Sequence, residues 1–123
     1  MRGQRLFVRP IETADRDAVR AFLATQGEAE SAPATGLIGK LVGNLVAVLS
    51  IEVTPEAIRV NDLVVAAELR RKRIGRVMLI ELADLAAKME RDWLVVERDG
   101  GREFLRRVGF VEEGERMVRR VGR

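Results

Sequence analysis

A run of cationic residues follows a short apolar stretch and precedes a segment with helical periodicity. Five of the seven residues in 70–76 are cationic, and the apolar stretch 63–65 lies just upstream. The first N–H groups of a helix lack intrahelical partners and have partial positive charge, so together with cationic side chains they bind anions. The pattern predicts a phosphate-binding turn, although a solvated basic face would have the same composition. The expected contacts are Arg70, Arg71, Lys72, Arg73, Ile74, Gly75 and Arg76.

The residue types that are missing narrow the chemistry. The chain has no histidine and no cysteine, and its only serines are Ser31 and Ser50. These absences exclude a Ser-His or Cys-His nucleophile pair, a thiolate enzyme and an ordinary zinc site. We therefore expect no metal, and we expect chemistry that uses carboxylates, backbone dipoles and a reactive cosubstrate such as an activated thioester.

Two segments resemble the GNAT superfamily of acyl-CoA-dependent N-acyltransferases. Segment 70–76 is similar to that family's Gln/Arg-x-x-Gly-x-Gly/Ala turn. Arg70 takes the basic position and Gly75 the second glycine position, while Arg73 stands where the first glycine is expected. Segment 101–110, Gly-Arg-Glu-Phe-Leu-Arg-Arg-Val-Gly-Phe, resembles the family's Ala-x-x-Phe-Tyr-x-x-x-Gly-Phe helix and exit.

The resemblance implies a fold of the α/β (α+β) class, as a single GNAT-like domain over residues 1–123. A mixed, largely antiparallel sheet of about six strands is expected between helices, with a V-shaped gap between the two central parallel strands. Acetyl-CoA is the implied cosubstrate, with its pyrophosphate in the basic turn and its pantetheine arm along the backbone of Leu63, Val64 and Val65. The Val65 N–H would donate to the thioester oxygen while an amine attacks directly in a ternary complex.

Three positions depart from the family pattern. Arg73 replaces a glycine, and a side chain there is expected to require a negative φ. Arg98 stands where the family often has a coenzyme-contacting asparagine, and Leu105 where it often has a tyrosine that protonates the thiolate. The chain has no tyrosine, but a thiol of pKa about 8.5 is a tolerable leaving group without a dedicated acid. Phe104 is expected to pack on the coenzyme arm or in the core.

The implied transfer also calls for a base, because an amine attacks in its neutral form. Asp62 immediately precedes the 63–65 stretch, and Glu97 follows a predicted strand, so these two residues are the main catalytic candidates. Glu52 is a third. The simpler interpretation of each is an ion pair, since carboxylates at strand ends of an arginine-rich chain usually pair with arginine.

Apolar periodicity and turn residues predict the elements that position these groups. Three consecutive antiparallel strands should precede the basic turn, and a right-handed crossover should make the next strand parallel to the third of them. In chain order the predicted elements are a strand at 6–8, a helix capped by Thr13 that ends near Gln26-Gly27, strands at 37–42 and 45–53 around a Gly43-Asn44 hairpin, a strand at 57–65, a helix from Ile74, a strand at 93–96, a helix at 102–107 and a strand at 110–121 kinked at Gly114.

Composition fits one soluble globular domain, with 47% hydrophobic and 33% charged residues. The longest apolar run, 45–49, is too short to span a bilayer, so a cytoplasmic location is the default expectation. The net charge is only +3, which does not imply general nucleic-acid binding. A homodimer that completes the acceptor cleft is an open alternative.

Two rival functions remain at this stage. The first is a non-catalytic acyl-CoA-binding or protein-interaction module that kept the phosphate turn and lost the family's acid. The second is a nucleic-acid-binding domain that uses the basic run together with Arg98, Arg102, Arg106 and Arg107, although the scarcity of aromatic residues opposes base stacking. The identity of the acceptor amine, whether small molecule or peptide, is not encoded in any motif.

Overall fold

The computed structural model describes residues 5–28, 32–70, 73–97 and 101–122. Its elements follow the predicted order closely, and the strands at 57–65 and 93–96 and the helix at 102–107 have the predicted bounds. The strands are β1 (Leu6–Pro10), β2 (Gly36–Leu41), β3 (Asn44–Val53), β4 (Ala57–Val65), β5 (Trp93–Val96), β6 (Val111–Glu113) and β7 (Arg116–Arg120), and the helices are α1 (Arg16–Thr25), α2 (Ile74–Lys88) and α3 (Arg102–Arg107).

The strands form one mixed sheet in the order β1-β2-β3-β4-β5-β7-β6. β4 and β5 are parallel, and the other neighbouring strands are antiparallel, which confirms the predicted fold class. The sheet has seven strands instead of about six. The last segment is a hairpin and not a kinked strand, because Gly114 adopts a φ of 63° and reverses the chain between β6 and β7.

Helices cover both faces of the sheet. A Cβ at Gly39 of β2 would lie 2.9 Å from the sulfur of Met78, so α2 packs closely on the face that also presents Ala47 of β3. Successive residues of a strand point to opposite faces, so Val48 and Ser50 point the other way, toward α1. We call these two surfaces the α2 face and the α1 face.

A bulge in β4 decides which side chains reach each face. Asp62 pairs with Ser50 of β3 and Val60 pairs with Ile51, which leaves Asn61 as the extra residue. An extra residue in a strand reverses the face to which each later side chain of that strand points. Ile58 and Val60 point to the α2 face before the bulge, and Leu63 and Val65 point to the same face after it. No bulge in β4 was predicted from the sequence.

Two predicted boundaries are wrong. The β2–β3 hairpin turns on Val42-Gly43 and not on Gly43-Asn44, and both turn residues have positive φ, 50° and 79°. A two-residue turn of this kind matches the twist of the flanking strands, and that requirement places a β-branched valine in a strained conformation.

The entry to α1 also differs from the prediction. Thr13 begins a short 3-10 turn instead of capping the helix. The Asp15 carboxylate accepts a hydrogen bond from the Glu12 N–H at 2.7 Å and two from the Arg9 guanidinium, each at 2.7 Å. These bonds favour the charged form and hold the pKa of Asp15 well below its usual range. They anchor the start of α1 to β1.

No helix among the described ranges is long and apolar enough to cross a membrane.

Candidate active site

The α2 helix begins with backbone N–H groups that lack intrahelical acceptors, and a strained residue precedes it. Arg73 precedes it with φ 64° and ψ 16°, and the Val77 N–H donates to the Arg73 carbonyl at 3.1 Å. The N–H groups of Ile74, Gly75 and Arg76 therefore have no intrahelical acceptor. The expectation of a negative φ at Arg73 is wrong. This residue keeps the left-handed conformation that a glycine would adopt there, at a cost of about 1–2 kcal/mol.

A cavity of about 810 Å³ opens in front of this helix start on the α2 face. Four arginines from three segments surround it. Arg70 and Arg73 come from the turn and Arg76 from α2, while Arg107 comes from α3, where it also contacts Glu103 at 2.8 Å. Its described lining is Leu63, Val65, Leu69, Arg70, Arg73, Ile74, Gly75, Arg76, Phe104, Arg107 and Val108. We call it the α2-face cavity.

Arg107 and Val108 were not among the predicted contacts. They stand three and four residues after Phe104, the spacing that places side chains on one side of a helix. That spacing was available in the sequence. It indicates that Arg107 and Val108 lie on the same side of α3 as Phe104.

Gly75 allows three elements to meet at the cavity wall. A Cβ at this position would lie 3.3 Å from Cζ of Phe104 and 3.4 Å from Cδ2 of Leu63. Phe104 therefore lines the cavity, whereas Leu105, at the family's tyrosine position, is buried in the core. The described cavity lining contains no hydroxyl group.

The backbone of β4 is turned toward the same region. The Ala66 N–H donates to the Val46 carbonyl at 2.8 Å, so Val65 and its partner Ala47 form a non-hydrogen-bonded pair. The main-chain groups of Leu63 and Val65 consequently point away from β3, and those of Val64 point toward it. The paired part of β5 ends at Val96, opposite Val60, so β4 continues beyond its parallel neighbour.

Two contacts already engage these turned groups. The Val65 carbonyl accepts a hydrogen bond from Nε of Arg70 at 3.3 Å, and the Leu63 N–H donates to Oδ1 of Asp62 at 2.9 Å. The Asp62 contact holds a carboxylate beside the strand edge at which the parallel pairing ends.

Asp62 itself lies on the α1 face, where it lines a second cavity of about 210 Å³. We call this the α1-face cavity. Its described lining is Leu23, Glu28, Ala32, Pro33, Val48, Ser50, Asp62 and Val64. Val64 thus contributes its side chain here and not to the α2-face cavity.

Glu97 has a different environment from Asp62. It follows β5, so it lies on the α1 face near the Asn61 bulge, and it is exposed. Its carboxylate forms an ion pair with Arg59, which also lies 3.7 Å from the Glu52 carboxylate. Glu97 and Glu52 therefore share one arginine, as the ion-pair interpretation expected.

Three predicted coenzyme contacts, Arg71, Lys72 and Arg98, lie outside the described residues. Within the described ranges, no group of three or more acidic side chains is arranged to hold a metal ion.

The fold and the site together define a class: a mixed sheet whose central strands part beside a helix start that is lined by arginines. The profile of the acetyltransferase (GNAT) family matches residues 4–110, and the chain belongs to this family. No curated protein sequence is similar enough to count as a match.

Solved structures establish the fold at low sequence identity. N-acetylglutamate synthase from Neisseria gonorrhoeae, complexed with coenzyme A and N-acetyl-glutamate, has a TM-score of 0.77 and 16% identity over 97% of this chain and 36% of its own. The ribosomal-protein-S18-alanine N-acetyltransferase of Escherichia coli has a TM-score of 0.75 and 15% identity over 97% of this chain and 96% of its own. A putative GNAT acetyltransferase from Desulfovibrio desulfuricans has a TM-score of 0.79 and 15% identity over 96% of this chain and 100% of its own. The chain thus spans about a third of the Neisseria enzyme and nearly all of the other two.

Proposed function

We propose that this protein is an N-acetyltransferase that moves an acetyl group from acetyl-CoA to an amine. The proposal rests on one observation, which is that the α2-face cavity combines a helix start, four arginines and the outward-turned backbone of Leu63 and Val65. Family membership supports acetyl transfer as the reaction. The Neisseria structure, which contains coenzyme A, supports this cosubstrate.

The residues present suit a phosphorylated thioester. Phosphate groups would accept hydrogen bonds from the N–H groups of Ile74, Gly75 and Arg76, and the surrounding arginines would pair with their charge. An extended arm with amide groups would pair with the backbone of Leu63 and Val65, as a strand added to the open edge. To make that pairing complete, Arg70 would release the Val65 carbonyl and Asp62 would release the Leu63 N–H.

Asp62 is the better of the two candidate bases. Its carboxylate lines the α1-face cavity and also reaches the strand edge through the Leu63 N–H. In the proposed reaction the amine nitrogen bonds to the thioester carbon, the carbon–sulfur bond breaks, and Asp62 accepts the proton of the amine directly or through water. Glu97 is exposed and forms an ion pair with Arg59.

Two further parts of the reaction fall to the backbone and to the leaving group itself. The Val65 N–H faces the region where negative charge would develop on the thioester oxygen, and a fixed donor there lowers the barrier. The sulfur would leave as a thiolate and take a proton from water, because Phe104 and Leu105 supply none.

The rival proposal is a non-catalytic acyl-CoA-binding module, and the missing hydroxyl at Leu105 favours it. The two proposals agree on binding and differ on turnover. Acetyl-CoA should bind with micromolar affinity by calorimetry, and 3′-dephospho-coenzyme A should bind more weakly, with the difference shrinking at high salt.

Thiol release with a panel of amines then separates the rivals. Amine-dependent release of coenzyme A supports the transferase, whereas saturable binding without release supports the module. If acetyl-CoA does not bind, both proposals fail.

A further inference from the structure

The outer edge of β1 exposes an apolar side chain. Among the described residues, no strand pairs with this edge, because β1 is the first strand of the sheet. Phe7, in the middle of the apolar part Leu6-Phe7-Val8, is 66% exposed, although phenylalanine is usually buried. A free strand edge is a template for pairing with another chain, and natural sheets usually protect it with charged side chains, a proline or short length.

The opposite edge of the sheet is protected in this way. β6 is three residues long, and the exposed carboxylates of Glu112 and Glu113 pair with Arg106 and Arg116. β1 ends in a proline, but its centre has no charged side chain. The two edges therefore differ, and β1 is the one suited to pair with a further strand.

The hydrogen bonds between β1 and β2 decide which main-chain groups face outward. The Ile11 N–H donates to the Gly36 carbonyl at 2.9 Å, and these two residues continue the register of the β1–β2 pair. Hydrogen-bonded and non-hydrogen-bonded pairs alternate along antiparallel strands. The main-chain groups of Phe7 and Arg9 therefore point toward β2, and those of the even-numbered residues of β1 point away from it.

Pro10 takes no part in a further pairing. It has no N–H, and its carbonyl accepts a hydrogen bond from Nη1 of Arg9 at 3.2 Å. The outward groups that remain are the N–H and C=O of Leu6 and of Val8, which are placed symmetrically about Phe7. An antiparallel copy of the same strand would satisfy all four of these groups, with Leu6 of each copy opposite Val8 of the other.

We infer that two copies of this chain associate through β1, antiparallel and about a two-fold axis at Phe7. The two phenyl rings would lie side by side as a non-hydrogen-bonded pair, which is the closer kind of cross-strand pair. Such a contact uses the same surface on both copies and closes on itself, so it forms a dimer and not a fibre. The described lining of both cavities contains no β1 residue, so this dimer does not depend on the proposed function.

Charges that flank Phe7 favour the same register. An axis at Phe7 places Arg5 opposite Arg9 of the second copy. That arginine already pairs with two carboxylates, Glu12 at 3.1 Å and Asp15 at 2.7 Å, so the three groups together have a net negative charge. Glu12 and Arg5 are both exposed, and Arg5 would supply the missing positive charge. Complementary charge of this kind fixes the register of an interface more than it adds affinity.

Sedimentation velocity from low to high micromolar concentration tests the association. We expect a reversible monomer–dimer equilibrium, because one pair of short strands buries less area than a stable dimer needs. Phe7→Glu places two like charges opposite each other and should weaken the dimer at least about tenfold. Val111→Glu is the matched control, because Val111 is 61% exposed on the opposite edge, and it should leave the dimer dissociation constant unchanged. Circular dichroism should show that both variants are folded.

A thiol introduced at the axis reports the register, because the chain has no cysteine. Phe7→Cys brings two thiols to a non-hydrogen-bonded pair, where the Cα atoms are about 4.5 Å apart, within the span of a disulfide. Oxidised glutathione would supply the oxidant and release two glutathione thiols for each bond formed. Phe7→Cys should become a covalent dimer at least about tenfold faster than Val111→Cys, since paired strands hold the thiols at a high effective concentration.

Four outcomes would overturn the inference. The first is a chain that stays monomeric at every concentration, and the second is a dimer that Phe7→Glu leaves intact. The third is crosslinking of Val111→Cys as fast as that of Phe7→Cys, which would mean random collision or a contact through β6. The fourth is a series of larger species that grows with concentration, because a two-fold contact at Phe7 closes at two copies.

Discussion

The two cavities lie on opposite sides of the same strand and are built in opposite ways. The α2-face cavity is cationic and large. It is lined by the start of α2, by three arginines that are close together in sequence (Arg70, Arg73 and Arg76), and by Arg107 of α3. The α1-face cavity is small and acidic, and its residues come from α1, the loop after it, β3 and β4. The bulge at Asn61 separates the two sets, since it sends Leu63 and Val65 to one face and Asp62 and Val64 to the other.

Under the proposed function, this difference explains why the coenzyme site is predictable from a motif and the acceptor site is not. A phosphate group needs several donors at one place, and a helix start supplies them from consecutive residues. An acceptor is recognised by a few side chains on a rigid surface, and those side chains can come from any part of the chain. Four predictions test whether the two cavities have these separate roles.

The largest effect is expected from Asp62→Asn. The amide keeps an oxygen that can accept the Leu63 N–H, so the fold and coenzyme affinity should be unchanged, while kcat falls about 10²–10⁴-fold because the base is lost. Glu97→Gln is the matched comparison and should lower kcat by less than about threefold, because that carboxylate is exposed and paired with Arg59. Steady-state kinetics with acetyl-CoA and an active amine measure both variants, and a larger loss in Glu97→Gln would reverse the assignment.

Gly75→Glu should act on the other cavity alone. It places a carboxylate at the helix start and a side chain between Phe104 and Leu63, so coenzyme affinity should fall about 100-fold or more. Affinity for an acceptor amine should not change. Calorimetry with coenzyme A and with an amine that supports thiol release measures the two effects.

Gly75→Gln separates charge from bulk at this position, and it should lose less coenzyme affinity than Gly75→Glu. The folded state should persist in both variants, because the nearest atoms to a new Cβ are side-chain ends at 3.3 and 3.4 Å. Unchanged coenzyme affinity in Gly75→Glu would rule out the helix start as the phosphate site.

A smaller effect is expected from Arg107→Gln. This arginine lines the cavity from α3 and is largely exposed, so its removal should weaken coenzyme binding about threefold to fivefold at low salt and less at high salt. Arg20→Gln, on the exposed side of α1, is the control and should change nothing. If both variants weaken coenzyme binding equally, the loss is caused by the change in net charge and not by a contact in the cavity.

The smallest effect concerns the strained turn. Arg73→Gly removes a side chain from a left-handed residue and should raise the free energy of unfolding by about 0.5–1 kcal/mol, after the greater flexibility of glycine in the unfolded chain is counted. Arg76→Gly, three residues later inside α2, should instead lower it by about 1 kcal/mol. Denaturant unfolding distinguishes them, and a destabilised Arg73→Gly would mean that the arginine side chain stabilises the turn.

Much of the fold was predictable because local patterns are strong in the second half of the chain. The strand at 57–65, the Ile74 helix and the strand at 93–96 each appear as expected. The wrong predictions are of two kinds. Turn residues at Val42 and Gly114 were misassigned because the turn is set by the twist of the paired strands, and the register of β4 was missed because a bulge has no reliable sequence pattern.

The candidate site divides in the same way. Arg70, Arg73, Ile74, Gly75 and Phe104 were singled out by resemblance, and the structure brings them to one cavity. Glu28, Ser50 and Leu23 were not predicted as functional residues, since none of them belongs to a recognisable sequence motif. They line one cavity where α1 and the loop after it pack against β3 and β4, and Gln26 ties the end of α1 to the end of β4.

The sequence by itself determined that this chain has a helix start among cationic residues, no histidine or cysteine chemistry, and a strand on either side of α2, because these are properties of neighbouring residues. The tertiary structure alone decided that Arg73 adopts a left-handed backbone, that Asp62 and not Glu97 has a half-buried place next to the strand edge, and that the two cavities beside β4 are lined by side chains of opposite charge. These are decided by strand register and by which distant segments pack together, and neither is a property of any short stretch of sequence.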